Sequence, residues 1–345
     1  MPVLSAAQLQ DLTERILIGL TAPPDEARMV AAVLVEANLA GHDSHGVIRI
    51  PQYAKYIKEG QIRPGAPFAV VKETAAMAVV SGHMNLGHAT MLRALDVAFA
   101  KAEATAVATV MVRECNHIGR LGSYPQRAAQ RGFACLVGVN SPGGRCVVPW
   151  GGIDRRMGTN PLAIGMPTRG EPLVLDMTTS VVAEGKVRVQ HHKKQPAPPD
   201  WIVDCEGNPT TDTAAFYGNP PGALLPLGGS VGYKGFGLSV MLDLLCGAMS
   251  GQGALRTDLT AGHNGVLLTL WKIDAFVPLD DYLAEVDKLS AWIKSSRRRP
   301  GVDEILLPGE IEARTTRQRL RDGVPIPDET WAQIGAVAAD AGVPV

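Results

Sequence analysis

The feature that most constrains this chain is a regular alternation of strand-like and helix-like segments that begins near Phe68. Such alternation predicts a body in which helices cover a sheet, so the predicted fold class is α/β, with mixed α and β content. The segments in chain order are strands at FAVVKE and AMAVVSG, a helix at MLRALDVAFAKAEA, a strand at VATVMV, a helix from Pro125 to Arg131, a strand at ACLVGVN, an extended segment at LVLDMTT, a helix at KGFGLSVMLDLLCGAMSG and a strand at GVLLTLW.

The N-terminal part of the chain is predicted to be helical. Ser5 begins a capping-box pattern, SAAQ, and apolar residues then recur at helical spacing. Pro24 and the acidic residues after it favour the start of a second helix, which we expect to end at Gly41. A third helix is predicted from Pro51 to Gly60. The first segment of the chain should therefore form a small helical unit.

The C-terminal part returns to a helical pattern after Pro278. Helices are predicted at DYLAEVDKLSAWIKSS and ETWAQIGAVAADA, with a loop at LLPGEIEAR between them. Two loop-rich stretches, Val187 to Pro226 and Gly251 to Gly262, interrupt the body of the chain. Long loops in a compact domain tend to cover a site, so we expect one beneath them.

Composition excludes several classes of partner. Lysine and arginine number 33 against 34 acidic residues, a net charge of −1, which gives no basic surface for nucleic acid or anionic lipid. No apolar run is long enough to span a membrane. The five cysteines are widely spaced, without a CxxC pair, as expected for reduced thiols. The first residues lack the pattern of a signal peptide, so we expect a cytoplasmic protein that binds a small molecule.

A first candidate site is the segment HDSHG, which contains Ser44 and His45 and is followed by Arg49. A histidine can exchange a proton near neutral pH, and an arginine can bind a carboxylate through two parallel hydrogen bonds. Together they suit a 2-oxo or 2-hydroxy acid. The alternative is that His45 only fills a polar corner, and a metal site begun by His42 lacks further ligands nearby.

A second candidate is the segment NHIGRLGSY, which follows a predicted strand and precedes a predicted helix. Ligands of α/β proteins gather at the carboxyl ends of strands and at helix N-termini, so His117 is well placed for function. The alternative is a loop histidine that is hydrogen-bonded to local backbone.

Three glycine-rich segments could approach a phosphate: NSPGG, which contains Ser141, GTNP, which contains Thr159 and Asn160, and GYKGFG, which contains Lys234. None of them matches GxGxxG or GxxxxGK[ST], so neither an ordinary Rossmann site nor a P-loop is indicated. Lys234 at a helix start suits a phosphate. Acidic residues that could bind a ribose are Asp176 and Glu310, which follows Gly309, although both are equally explicable as helix caps.

Six strings in order along nearly the whole chain resemble the malate/L-lactate dehydrogenase family of non-Rossmann oxidoreductases. These strings are NLAGHDSHGVIRIPQY, NHIGRLGSY, GTNPLAIGMP, LDMTTSVVAEGKV, GYKGFGLSVMLDLL and LLPGE. Within the family, AGHDSHG, HIGR and LPGE are most similar to the hydroxycarboxylate dehydrogenase branch. The arginine at position 49 departs from the pattern of that branch.

The resemblance implies an L-sulfolactate dehydrogenase-like fold and a homodimer. Residues 1–66 and 278–345 would form a helical domain, and residues 67–277 a mixed-sheet body that binds NAD(H) or NADP(H). It implies acid/base roles for His45 and His117, without deciding which is principal. The residues implied to bind substrate are Ser44, Arg49 and Tyr53, and those implied to bind the cofactor are Ser141, Thr159, Asn160, Asp176, Met177, Thr178, Lys234, Gly309 and Glu310.

The expected activity is NAD(P)-dependent interconversion of a 2-oxo acid and a 2-hydroxy acid. Reduction of a cyclic imine carboxylate, or action on a ureidoglycolate or diketogulonate type of substrate, is the alternative within the family. A ligand-binding protein without activity is the alternative outside it. The intact SHG and NHxG histidines and Lys234 argue against the last of these.

Overall fold

The computed structural model describes residues 1–255 and 263–344. Part of the predicted loop from Gly251 to Gly262 therefore lies outside the described residues. No described helix is both long and apolar enough to pass through a membrane.

A seven-stranded sheet forms the centre of the molecule. Its strands are β2 (Ala69–Glu73), β3 (Met77–Ser81), β4 (Val107–Cys115), β5 (Phe133–Asn140), β6 (Leu162–Met166), β7 (Leu173–Met177) and β11 (Asn264–Lys272). Their order across the sheet is β2-β3-β4-β11-β5-β6-β7. Only β3 and β4 pair in parallel, and the other neighbours are antiparallel. The sheet is therefore mixed, which confirms the predicted fold class and differs from the all-parallel sheet of a doubly wound domain.

Helices cover both faces of this sheet. They are α4 (Gly87–Thr105) and α5 (Ser123–Ala129) on one face, and α8 (Tyr233–Leu242) with the π-helical turn Asp243–Ala248 on the other. Successive side chains of β5 point to opposite faces of the sheet. Val137 and Val139 therefore join the core under α4 and α5. Gly138 points to the opposite face, where a Cβ would lie 2.9 Å from Leu242 and 3.0 Å from Cys246.

The two ends of the chain share one apolar core. The helices that build it are α1 (Ala6–Gly19), α2 (Pro24–Leu39), α3 (Ile50–Lys58) and α11 (Asp328–Asp340), joined by the pairing of β1 (Val3–Leu4) with β12 (Val324–Pro325). The Ser5 capping box is present, with both of its hydrogen bonds. The division into domains at residues 66/67 and 277/278 stays a prediction.

The stretch from Val187 to Pro226 was expected to be loop, and this expectation was wrong in part. It begins inside α6 (Glu184–His192) and contains α7 (Thr213–Phe216) and a small sheet of β8 (Ile202–Val203), β9 (Pro209–Thr210) and β10 (Ala223–Leu224). Residues such as Ile202 and Phe216 form a separate small core with Cys146 and Met157. The short elements lack a local period, so only tertiary packing reveals them.

The predicted loop at LLPGEIEAR is also wrong over its second half. Here α10 (Glu310–Asp322) follows α9 (Leu279–Lys294). Gly309 adopts a φ of +92°, and the Glu310 carboxylate accepts a hydrogen bond from the Leu307 amide at 2.9 Å. This hydrogen bond pairs the Leu307 backbone amide in the turn before the helix, and it favours a helix start at Glu310.

Candidate functional site

Hydrogen bonds from Asn38 and Arg319 hold the HDSHG segment, which forms a 3₁₀ turn at Asp43–His45 after α2. The side-chain Nδ2 of Asn38 donates to the Asp43 carboxylate at 2.7 Å, and Asn38 Oδ1 accepts from the Val47 backbone amide at 2.9 Å. Arg319 of α10 donates two hydrogen bonds to the Asp43 carboxylate, at 2.6 and 3.0 Å. A Cβ at Gly46 would overlap the Asn38 side chain. The position of His45 is thus fixed by Asn38, at the end of α2, and by Arg319, which is distant in the chain.

Two imidazoles meet at the centre of the site. The rings of His45 and His117 are stacked with centroids 5.6 Å apart and an angle of 17° between their planes. His45 Nδ1 is 3.0 Å from the Ser44 hydroxyl, and His117 Nδ1 is 2.7 Å from the Tyr53 hydroxyl. Each ring therefore uses Nδ1 for a hydroxyl partner, which leaves Nε2 for other chemistry.

Arg49 lies beside this pair. Its Nε donates to the Ser44 carbonyl at 2.7 Å and its Nη1 to the Gln52 side chain at 2.8 Å. Its Nη2 has no hydrogen-bond partner among the described residues. On the other side of Ser44 runs α6, where a Cβ at Gly185 would lie 3.5 Å from Ser44 Cβ. The predicted substrate residues thus lie together, next to the segment that was expected to cover a site.

Burial sets the protonation of these groups. It lowers the pKa of His45 to about 3 and the pKa of His117 well below its usual range, and the nearby Arg49 cation lowers both further. Burial also raises the pKa of the Tyr53 hydroxyl. Both imidazoles are therefore neutral at pH 7, and either can accept a proton.

Two residues of this region were not singled out from the sequence. His88 at the start of α4 is fully buried, with its ring centroid 6.2 Å from that of His117 and 5.7 Å from that of Tyr53. Neither of its ring nitrogens has a hydrogen-bond partner among the described residues. Arg120, within the HIGR string, is buried as well. A polar residue at a helix start, such as His88, gives no local signal that it is buried. The position of Arg120, three residues after His117 in the sequence, could have suggested that it lies near the site.

The first group of predicted cofactor residues surrounds Asn160, whose side chain is completely buried. Its Oδ1 accepts from the Ser141 amide at 3.3 Å, and its Nδ2 donates to Ser239 Oγ of α8 at 3.0 Å. The predicted cofactor role of Asn160 stays a prediction, and these bonds leave its backbone rather than its side chain for a ligand. The side chain instead joins the loop after β5 to α8.

The neighbouring loops converge on the start of α8. The Thr179 hydroxyl donates to the Thr159 carbonyl at 3.0 Å, and the Leu227 amide donates to the Thr179 carbonyl at 2.9 Å. The Gly235 amide then donates to the Leu227 carbonyl at 3.2 Å, which places the exposed Lys234 beside these loops. Lys234 has no ion-pair partner in the described part of the chain.

Of the other predicted cofactor residues, Asp176 and Met177 are the last two residues of β7, and Thr178 follows them. Met177 pairs with Leu162 of the neighbouring strand β6, and the Thr178 hydroxyl donates to the Ser180 carbonyl at 3.0 Å. Asp176 instead accepts a hydrogen bond from the Gly122 amide at 2.7 Å.

Gly309 lies against the same strand, because the Val174 amide donates to the Pro308 carbonyl at 3.1 Å. Gly309 and Glu310 line a groove of about 400 Å³ between α9 and α10. The predicted cofactor residues thus form two groups along β7, one near Lys234 and one near Gly309. Over the described residues, no three metal-binding side chains come together.

Comparison with known proteins agrees with this architecture. The family model described as malate/L-lactate dehydrogenase matches residues 4–335. Malate dehydrogenase from Pyrococcus horikoshii is 35% identical over 338 residues, which cover 95% of this chain and 92% of the relative. Hydroxycarboxylate dehydrogenase B from Escherichia coli O157:H7 is 34% identical and covers 98% of this chain and 94% of its own.

The solved structure of sulfolactate dehydrogenase from Methanocaldococcus jannaschii superposes with a TM-score of 0.89 at 32% identity, covering 99% of this chain and 98% of that one. The predicted L-sulfolactate dehydrogenase-like fold is therefore confirmed, as is the resemblance drawn from the six sequence strings. Since the family model covers nearly every residue, the chain belongs to the malate/L-lactate dehydrogenase family.

Proposed function

We propose that this protein is an NAD(P)-dependent oxidoreductase that interconverts a 2-oxo acid and the corresponding 2-hydroxy acid. The observation that carries the proposal is the stacked pair of neutral imidazoles, His45 and His117, beside a guanidinium with a free nitrogen. A carbonyl next to a carboxylate needs one group to exchange a proton and another to bind the acid. These residues supply both.

Arg49 would bind the substrate carboxylate. Its Nε and Nη1 are held by the Ser44 carbonyl and Gln52, so the guanidinium plane is fixed before a ligand arrives. Burial strengthens the interaction with an anion, because little water competes for it. The carboxylate would also offset the Arg49 charge that lowers the pKa of His45. Substrate binding would therefore make His45 easier to protonate.

His45 would exchange the proton at the C2 oxygen. During oxidation its neutral Nε2 accepts the hydroxyl proton, and during reduction the imidazolium returns a proton to the developing alkoxide. His117, held by the Tyr53 hydroxyl, would orient and polarise the same oxygen. A bound nicotinamide supplies or takes the hydride.

The donors near Lys234 fit a dinucleotide. The exposed ammonium stands at the start of a ten-residue helix, where the helix dipole favours a phosphate. The Ser141 side chain and the backbone of Thr159 and Thr178 lie in loops held beside that helix. Asp176 and the Gly309–Glu310 turn would meet the ribose, since Asp176 lies in β7 and the turn follows Pro308, whose carbonyl accepts from Val174 of the same strand.

The protein would act in the cytoplasm as a homodimer, with a helical domain of residues 1–66 and 278–345 and a cofactor body of residues 67–277. Support for the dimer comes from the outer side of α8 and the turn after it, where large apolar side chains are exposed. These exposed residues are Tyr233, Met241, Leu244, Leu245 and Met249. Sedimentation equilibrium would test this assembly.

The activity is tested with a panel of 2-oxo acids and cyclic imine carboxylates, each assayed with NADH and with NADPH. Turnover of 2-oxo acids is expected, and faster turnover of the imines would move the proposal to the imine-reducing branch. Quenching of cofactor fluorescence without turnover of any compound would indicate a binding protein instead.

Replacing Arg49 with lysine should raise KM for the carboxylate substrate about tenfold or more and change kcat little. A lysine ammonium is a point charge that cannot reproduce the two parallel hydrogen bonds of a guanidinium. Steady-state kinetics measure the effect. Arg28→Lys, on the exposed side of α2, is the matched control. Equal KM values for wild type and Arg49→Lys would remove Arg49 from the substrate site.

Replacing Lys234 with alanine should weaken cofactor binding by about tenfold to a hundredfold, because a charge-assisted hydrogen bond to phosphate is lost. Titration of cofactor fluorescence gives the dissociation constant. The exposed Lys72 of β2 offers a control, since Lys72→Ala should bind as wild type does. An unchanged constant in Lys234→Ala would leave Ser141 and its loop as the phosphate site.

A further inference from the structure

Arg120 is a deeply buried cation that the acid/base chemistry and the substrate carboxylate do not use. Its side chain is only 2% exposed, and its Nε lies 4.0 Å from Asp176 Oδ2. Its Nη1 donates to Gln126 at 3.1 Å and is 3.9 Å from Glu36 Oε1. No hydrogen-bond partner for Nε is found in the described part of the chain. A guanidinium at this depth requires nearby carboxylates, and Asp176 is one of the two.

Asp176 has one side against Arg120 and another that remains accessible. Its Oδ2 accepts the hydrogen bond from the Gly122 amide, and Oδ1 has no hydrogen-bond partner among the residues described. The side chain is 17% exposed, whereas Arg120 is shielded from solvent. A Cβ at Gly122 would lie 3.0 Å from both Arg120 Nη2 and Asp176 Oδ2. The glycine therefore permits the close approach of the two charged groups.

Three charged or titratable groups face Asp176 from the elements around it. They are Arg120 from the loop after β4, His42 from the turn after α2, and Glu312 from α10. His42 and Glu312 are themselves 3.1 Å apart. Burial raises the pKa of Asp176, whereas the Gly122 amide and the Arg120 guanidinium act against that rise. Without Arg120, the carboxyl would take up a proton at a higher pH.

We propose that Arg120 is a positioning residue for cofactor binding, which orients the Asp176 carboxylate so that its accessible oxygen accepts hydrogen bonds from a ribose. The inference rests on the proposed function, because the ribose is that of the nicotinamide cofactor. It adds to that function a link between the loop that carries His117 and the strand that carries Asp176.

The test is fluorescence titration of the full-length protein with NADH and NADPH between pH 5.5 and 8. We expect Arg120→Gln to raise the dissociation constant about tenfold or more at pH 7. As the pH is lowered, the cofactor affinity of Arg120→Gln should begin to fall at a higher pH than the affinity of wild type does. Asp176→Asn should bind weakly without that pH dependence, and the double variant should match Asp176→Asn. A merely structural role for Arg120 would not shift the pH profile.

Equal dissociation constants and pH profiles for wild type and Arg120→Gln would overturn the inference. If Arg120→Gln does not fold, Arg120→Lys and Gly122→Ala replace it. Both variants should raise the dissociation constant for the cofactor. If both bind the cofactor as wild type does, the inference is overturned as well. If wild type binds neither NADH nor NADPH, the proposed function itself fails, which is a separate result.

Discussion

Replacing His45 with alanine should lower kcat by about 10²-fold to 10⁴-fold, the range expected when a general acid/base is removed. The fold and cofactor affinity should change little, because the HDSHG segment is held through Asn38, Asp43 and Arg319 rather than through the imidazole. Steady-state kinetics with the preferred substrate of the panel, together with cofactor titration, measure the two effects separately.

The control for this substitution is His83, an exposed histidine whose ring bonds the Pro67 carbonyl away from the stacked pair. Asparagine tolerates the positive φ at this position, so His83→Asn should keep the wild-type kcat. A near-normal kcat for His45→Ala would contradict the role given to His45. The acid/base role would then pass to His117, and His117→Ala should show the larger loss.

The second large effect concerns acid stability. Burial lowers the pKa of His45 and of His88 to about 3, and that of His117 well below its usual range. In the unfolded chain each takes up a proton near pH 6.5. The unfolded state therefore binds more protons between pH 6.5 and 5, so the free energy of unfolding falls as pH falls.

The expected loss between pH 6.5 and 5 is roughly 1.5 kcal/mol for each histidine, or about 4.5 kcal/mol for the three together. Asp176 and Asp243, whose pKa values burial raises, offset a small part of it. Urea unfolding at several pH values measures the effect. His88→Leu should remove about a third of the slope, because it deletes one titrating group. A free energy of unfolding that stays constant over this range would show that the imidazoles are not buried as described.

Local sequence patterns predicted much of the fold. The Ser5 capping box, the apolar run of β5 and the helical segment of α4 all correspond to observed elements. These features depend on contacts between near neighbours, which a local pattern encodes directly. Where local pattern was weak, prediction failed, as for α10 and for the small sheet of β8, β9 and β10. The small sheet forms because distant residues such as Cys146 and Met157 pack against it, whereas α10 begins at a turn in which the Glu310 carboxylate accepts from the Leu307 amide.

For the site, the sequence determined which residue types are present and in which strings, and the ordered strings were enough to indicate the family. Only the tertiary structure decided that His45 and His117 stack, that Tyr53 binds the second of them, and that Asn160 is committed to holding loops. It also decided that His88 and Arg120 are buried beside them. The physical reason is that burial and charge pairing arise between segments that lie far apart in the chain, and no local period records which of those segments will meet.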